Sequence, residues 1–137
     1  MSIFASPRFL RHVLVADAAS CLGSGALQLA FTTSLAGLLR LPAPLVVGTG
    51  LFLVAYGALV GLVATRDPVP RALVALFAIG NIGWAAACIA LLAGGWLSPS
   101  GLGQAWVLAQ AACVAVLAGL QGLSLYALSS SPKVSFP

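Results

Sequence analysis

The side chains that could do chemistry in this sequence lie inside long apolar runs. Asp17 stands in the first run, and Cys21, Ser24 and Gln28 follow it at positions i+4, i+7 and i+11. In a helix this spacing places all four side chains on one face. A polar or ionisable group in hydrocarbon is costly unless it meets a partner or water, so this face should point to the interior of a helix bundle. Asp17 is therefore the candidate functional acid.

Two later apolar runs carry similar polar stripes, which are Asn81, Trp84 and Cys88 in one and Trp106, Gln110, Cys113 and Gln121 in the other. Counted from the middle of each predicted helix, the amides of Gln28, Asn81 and Gln110 fall close to the bilayer midplane. We therefore expect a buried amide cluster. Asp17 and Gln121 lie nearer the cytoplasm at comparable depth, and we expect them to be partners of each other. The competing interpretation is that these amides only hold the helices together, because interhelical amide hydrogen bonds contribute about 0.6–2 kcal/mol each in membrane bundles.

Asp17 has a second interpretation of its own. It lies about one turn inside the start of the first apolar run, where water and lipid headgroups can reach a side chain. There it would be a structural acid, paired with Arg11, Arg71 or Tyr126. The sequence offers no second carboxylate within the apolar runs that would extend Asp17 into a proton relay.

Catalytic constellations are missing from the sequence. His12 is the single histidine, so a two-histidine haem site or a histidine metal cluster cannot be built within one chain. The cysteines form no CxxC pair, and we expect Cys21, Cys88 and Cys113 to be small buried apolar residues. There is no Ser-His-Asp set, phosphate loop or pair of carboxylates. These features predict a protein without intrinsic catalytic activity, cofactor or metal site.

The amino-acid composition indicates whether the surface of the folded chain faces water or lipid. Of its 137 residues, 6% are charged and 61% are hydrophobic, and the mean hydropathy is +1.12. A soluble domain carries about a quarter charged residues, because its surface must face water. Disordered chains are polar and highly charged, so disorder is excluded as well. The solvent of this protein is lipid.

The breaks between apolar runs define the elements that must position the polar side chains. A membrane span needs about 20 mostly apolar residues, and the predicted spans are residues 13–39, 45–64, 72–93 and 102–128. The short connections make neighbouring helices antiparallel. We therefore predict an all-α, up-down four-helix transmembrane bundle that forms a single domain over residues 1–137. Apolarity continues well past Cys21, which favours a retained first helix over a cleaved signal peptide.

The basic residues predict the orientation. Five of the six fall on one side of a four-span chain, and Arg40 falls on the other; the five are Arg8, Arg11, Arg66, Arg71 and Lys133. By the positive-inside rule, both termini are predicted to be cytoplasmic. The net charge of +4 is explained as a topology signal and not as a nucleic-acid surface, which would need a clustered basic face.

Small residues mark the faces where helices could approach closely. Gly57 and Gly61 form a GxxxG in the second run, and Gly50 lies one heptad earlier on nearly the same face. The third run carries a ridge formed by Gly80, Gly83, Ala87 and Ala90, called the α4 ridge below. Such ridges predict close helix packing, either within one chain or between two chains.

Four segments carry a resemblance to a known family: Ala16-Asp17-Ala18-Ala19, Leu35-Ala36-Gly37-Leu38-Leu39-Arg40-Leu41-Pro42, Gly80-Asn81-Ile82-Gly83-Trp84 and Trp106-Val107-Leu108-Ala109-Gln110-Ala111. They resemble a family of small, uncharacterised four-helix inner-membrane proteins of bacteria. The resemblance covers almost the whole chain and implies the architecture and the bacterial inner membrane. It implies no activity. Where relatives often carry an acid before a Leu-Gln pair, this chain has Gly119.

Two functions follow as expectations. The first is a non-enzymatic integral membrane protein that acts through helix–helix contacts, as a homo-oligomer or as an accessory subunit of a larger membrane complex. The alternative is a small proton-coupled transporter or small-ligand-binding protein that uses Asp17. Small multidrug-resistance transporters are similar in length and in having an acid in the first helix. However, the charge bias disfavours inverted dimers, and the signature runs of that family are missing from this sequence.

Overall fold

A computed structural model describes residues 3–130. A short 3-10 helix, Ile3–Ala5, precedes five α-helices, which are α1 (Pro7–Ala30), α2 (Thr32–Leu39), α3 (Ala43–Ala64), α4 (Arg71–Ala93) and α5 (Gly101–Ser130). The predicted all-helical fold is confirmed over this range. Lys133, one of the five basic residues that predict the orientation, lies outside the described residues.

Four of the helices are long and apolar enough to cross a membrane. These are α1, α3, α4 and α5, with 24, 22, 23 and 30 residues. At 1.5 Å per residue each exceeds the roughly 30 Å of a hydrocarbon core. Each corresponds to one of the predicted apolar runs.

The first predicted span, residues 13–39, is divided in the structure. α1 begins earlier, at Pro7, because Ser6 is extended and a proline suits the first helical turn. Phe31 then leaves the helical region with φ −122° and ψ 37°. Thr32 stabilises this break, since its hydroxyl lies 2.8 Å from the carbonyl oxygen of Gln28 and competes with helical hydrogen bonding. Asp17 is consequently the eleventh of the 24 residues of α1, near the middle of the helix, and not one turn from its start.

Ser100 joins the end of α2 to the start of α5. Its backbone N–H donates to the carbonyl oxygen of Leu39 at 3.1 Å, and its hydroxyl donates to that of Leu38 at 2.8 Å. The same hydroxyl oxygen accepts from the backbone N–H of Gly103 at 3.1 Å, as a helix N-cap does. A Cβ at Gly103 would overlap the Leu39 carbonyl oxygen, so only glycine fits this contact.

The helices pack as two pairs, α1 with α3 and α4 with α5, which make the most extensive contacts. In the first pair the predicted packing glycines are used. A Cβ at Gly57 would lie 2.9 Å from Leu22 Cγ, and one at Gly50 would lie 3.1 Å from Gln28 Cβ. Gly25, which the sequence reasoning did not single out, is equally tight against the Gly50 carbonyl oxygen at 2.8 Å. Gly61 has only an ordinary contact, at 3.7 Å from Ala18.

The α4 ridge points out of the bundle, since all four of its residues are exposed. A Cβ at Gly80 would lie 3.6 Å from the Tyr56 hydroxyl, whereas one at Gly83 would meet nothing within 4 Å in the described chain. Gly83 is therefore not a packing residue within this chain.

The largest core cluster lies where the two pairs meet, toward the start of α1. Its buried members are Leu10, Leu14, Ala18, Val60, Val63, Ala64, Val74 and Phe77. At the opposite end of the helices, buried side chains form two smaller clusters, one around Leu39, Leu41 and Val46 and one around Cys88, Val107 and Ala111. The largest buried apolar cluster thus lies in the half of the bundle that contains the start of α1.

Candidate functional site

Asp17 is fully buried and is the centre of a polar cluster that joins three helices. Asn81 Nδ2 of α4 donates to Asp17 Oδ2 at 2.9 Å, and Gln121 Nε2 of α5 donates to the same oxygen at 2.8 Å. The thiol of Cys21, one turn along α1, lies 3.6 Å from Asp17 Oδ1. These four residues are the Asp17 cluster. The contact between Asp17 and Gln121 is the one that their predicted depth favours.

The predicted basic or phenolic partners of Asp17 are wrong. Arg11 instead lies 3.8 Å from Asp67 Oδ1 and donates to the carbonyl oxygen of Arg66 at 3.1 Å. The Tyr126 side chain is 73% exposed. Within residues 3–130 no Lys or Arg side chain lies within 4 Å of the Asp17 carboxyl. The longer N-terminal part of α1 explains the error, because it separates Asp17 from the charged end of the helix.

Tyr56 brings α3 to the same level, a role that the sequence reasoning missed. Its hydroxyl donates to the carbonyl oxygen of Phe77 at 3.1 Å and lies 3.4 Å from Asn81 Oδ1. The Asn81 amide therefore connects the tyrosine to the carboxyl. A tyrosine in the middle of an apolar run is itself a signal, because its hydroxyl needs a partner when it is buried. All four long helices thus contribute to one hydrogen-bonded level.

The predicted single amide cluster is divided into separate pairs. Gln28 Oε1 lies 2.7 Å from the Thr49 hydroxyl of α3, and Trp84 Nε1 of α4 donates to Gln110 Oε1 at 3.3 Å. Gln28 follows Asp17 by 11 residues, which is about 16 Å along a helix. Because the true middle of α1 is near Asp17, Gln28 belongs to a different level from Asn81.

The remaining cysteines and Ser24 make no polar cluster of their own. Cys88 is buried, as expected, whereas Cys113 is exposed, which contradicts its predicted burial. Ser24 lies in a cavity wall together with Cys21 and Gln110. Among the described residues, no group of three or more His, Cys, Asp and Glu side chains could hold a metal ion.

Trp84 lies among three cavities between the helices. Their empty volumes are about 470, 300 and 330 Å³, and the Trp84 side chain forms part of each wall. The indole ring stacks on Phe52 of α3 with ring centroids 5.4 Å apart. Asn81 lines the third cavity, but Asp17 lines none of these three.

The geometry therefore divides the predicted site residues into two groups. The Asp17 cluster holds a carboxyl group among neutral donors and ties the helices together. Gln28, Trp84 and Gln110 face open space instead. Comparison with known proteins finds no matching family model, no matching curated protein and no matching solved structure.

Proposed function

We propose that this chain is a multi-pass protein of the bacterial inner membrane, with four spans in up-down order and both termini in the cytoplasm. The contact of Arg11 with Asp67 supports this order, since the start of α1 lies beside the loop between α3 and α4. At the other end, Ser100 contacts Leu38, near Arg40. The charge bias and the family resemblance support the orientation and the membrane.

Reporter fusions test this orientation. A fluorescent protein fused after Pro137 should fluoresce in the bacterial cytoplasm, and alkaline phosphatase at the same place should be inactive. Phosphatase inserted after Ser98, in the loop between α4 and α5, should be active. The reverse pattern would overturn the proposed topology.

We further propose that the protein has no catalytic activity of its own and acts through helix–helix contacts in the bilayer, as a homo-oligomer or as an accessory subunit. This proposal rests on how little of α4 is buried against the other helices of the chain. Only 22% of its most apolar stretch is buried inside the chain, against 33–39% for the other three long helices. The exposed surface includes the α4 ridge, and small residues allow another helix to approach closely.

Native mass spectrometry and crosslinking in lipid nanodiscs test this contact. The unmodified protein should appear as an oligomer or with a co-purified membrane partner. Gly83→Leu should reduce that association by at least tenfold, because it fills the α4 ridge. The matched control is Gly48→Leu on α3, an exposed glycine with nothing within 4 Å of an added Cβ. A protein that is strictly monomeric without a partner would overturn the proposal.

A proton-coupled carrier or ligand-binding protein that uses Asp17 is the second proposal. It is favoured by one observation: a fully buried acid among described residues that place no basic side chain within 4 Å of it. An ionisable group inside a membrane helix is a functional candidate by default.

Asp17→Asn decides between the two roles. A carrier loses pH-dependent flux in proteoliposomes while its amount in the membrane is unchanged. If Asp17 is structural, Asp17→Asn lowers the thermal stability of the protein, and neither the parent nor the variant shows pH-dependent flux. Ser20→Ala, on the next turn of α1, is the matched control, because the Ser20 hydroxyl donates to the Asp17 backbone oxygen at 2.9 Å and not to its carboxyl group.

A further inference from the structure

The largest of the three cavities beside Trp84 has an uncharged wall with a few polar groups. It is a partly open space of about 470 Å³, its open part included, between residues of all five α-helices. Its polar side chains among the described residues are Gln28, Thr49 and Gln110, its indoles are Trp84 and Trp106, and leucine, valine and Cys88 complete the wall. Small-molecule sites are mostly apolar with a few placed polar groups, and this wall has that composition. It is called the Gln110 cavity.

The orientation of the Gln110 amide is fixed by Trp84. An indole N–H can only donate, so the oxygen of the amide must face it, at 3.3 Å. The amide nitrogen then points elsewhere, and no acceptor in the described chain forms a hydrogen bond with it. Two N–H groups of Gln110 are therefore left without a protein partner at the wall of an apolar cavity.

Gln28 adds a second amide to the same cavity from α1. The Thr49 hydroxyl lies 2.7 Å from one end of this amide, and Gln28 is only 3% exposed. The other end of the amide is left free among the described residues. A donor without a partner in apolar surroundings costs free energy, and a ligand that accepts its hydrogen bond recovers it.

We propose that the Gln110 cavity binds an uncharged, lipid-soluble molecule with carbonyl oxygens on a flat ring, the chemical class of the quinones. The free N–H groups select an acceptor, the uncharged wall selects a neutral molecule, and the two indoles offer flat apolar surface. Gln110 is the tenth residue of α5, about 14 Å along the helix from its start. It therefore lies inside a helix that is long and apolar enough to cross a membrane, which suits a ring buried among acyl chains. This inference goes beyond the proposed helix–helix function and uses neither Asp17 nor the α4 ridge.

Tryptophan fluorescence of the full chain in nanodiscs tests the proposal. The chain has three tryptophans, and Trp96 is 76% exposed, so a Trp96→Phe background leaves Trp84 and Trp106, which both line the cavity. A short-chain alkyl benzoquinone should quench them saturably. Its dimethylbenzene analogue, which has no hydrogen-bond acceptor in place of the quinone carbonyls, should not compete.

The variants identify the donor. Gln110→Met keeps the side-chain volume and removes both N–H groups, so the dissociation constant should rise about fivefold to tenfold, the effect of one or two lost hydrogen bonds. Gln104→Met is the matched control, because Gln104 is an exposed glutamine on the same helix, and it should bind like the parent. Quenching that does not saturate, equal affinity in Gln110→Met, or effective competition by the analogue would overturn the proposal.

A second measurement is independent of how well the variant folds. A benzoquinone that carries a diazirine should label the parent protein, and mass spectrometry should map the label to the walls of the Gln110 cavity, around Leu91 of α4 and Val107 of α5. Labels confined to the α4 ridge, or spread evenly over exposed leucines, contradict it. The oligomeric state can be lost without affecting either result, so failure of the proposed function and failure of this inference are distinguishable.

Discussion

The two halves of the bundle treat their buried polar groups in opposite ways. At the level of Asp17 the carboxyl, Asn81 and Gln121 satisfy one another, and the neighbouring apolar side chains Leu14 and Val74 are fully buried. At the level of Trp84, which is called the looser half below, cavities lie on several sides of the indole, and two of them extend to Cys21 of the Asp17 cluster. The side chains of Trp84 and Gln110 there have only each other as hydrogen-bond partners among the described residues, and the Gln110 amide retains free donors.

This difference separates polar residues that hold the fold from polar residues that are open to a ligand. A closed hydrogen-bonded network stabilises one arrangement of helices, because any partner removed leaves a buried group unsatisfied. A half-satisfied amide beside a cavity stabilises the fold less and has capacity to bind something else. The Asp17 carboxyl, which the sequence singles out, therefore has its hydrogen-bond partners within the protein and lines none of the three cavities beside Trp84.

The largest expected effect comes from the same substitution made in both halves of α5. Gln121→Met removes the donor 2.8 Å from Asp17 Oδ2, so the free energy of unfolding should fall by about 2 kcal/mol, the value of a hydrogen bond to a buried carboxyl group. Gln110→Met removes only its contact with Trp84 and should cost about 0.6 kcal/mol. SDS titration of the purified protein in mixed micelles measures both. Equal losses in the free energy of unfolding would show that Gln121 and Gln110 contribute alike to the fold, which contradicts the proposed difference between the two halves.

The close packing that supports the Asp17 cluster gives the next effect. A Cβ at Gly57 would lie 3.0 Å from Cys21 Cβ and 3.1 Å from the carbonyl oxygen of Ala18, so Gly57→Ala should push α1 and α3 apart and cost about 1–2 kcal/mol. Gly61→Ala, where the nearest atom is 3.7 Å away, should be neutral or slightly stabilising. The same SDS titration compares the two variants. A neutral Gly57→Ala would show that α1 and α3 tolerate a wider spacing beside the Asp17 cluster.

Hydropathy and polar spacing predicted much of this arrangement. The four long helices follow from apolar runs, and the faces that carry Asp17, Asn81 and Gln121 follow from helical periodicity. Periodicity identifies which face of a helix is buried. It does not say which helices are neighbours, so the predicted amide cluster mixed residues from two levels.

The errors have a local origin as well. The break at Phe31 depends on the Thr32 hydroxyl bonding back to a carbonyl, and nothing in the hydropathy of residues 13–39 marks it. Because that span was taken as one helix, its middle was displaced and Asp17 was assigned to the membrane edge. The roles of Tyr56 and Gly25 depend on contacts with other helices, which no single-helix pattern contains.

Ser100 controls the far end of the looser half and should give a smaller effect. It caps α5 through the Gly103 N–H and also holds the last carbonyls of α2, whose Leu35 and Leu39 line the Gln110 cavity. Ser100→Ala should lower the free energy of unfolding by about 1 kcal/mol, the usual value of an N-cap. It should also speed hydrogen exchange of amides in α2 more than in α3. Ser98→Ala, at an exposed position in the same loop, is the control, and equal exchange in the two variants would contradict this role.

Replacing Arg40 should give a small gain in stability. It ends α2 with φ 54° and ψ 46°, a left-handed conformation that costs free energy for any residue with a Cβ, and glycine is the usual residue at this position. Arg40→Gly should therefore raise the free energy of unfolding by about 0.5 kcal/mol in SDS titration. Because Arg40 is exposed and does not line the Gln110 cavity, the gain should leave quinone quenching of the tryptophans unchanged. A loss of stability would instead mean that the Arg40 side chain anchors α2, and then the looser half depends on a surface charge as well as on Ser100.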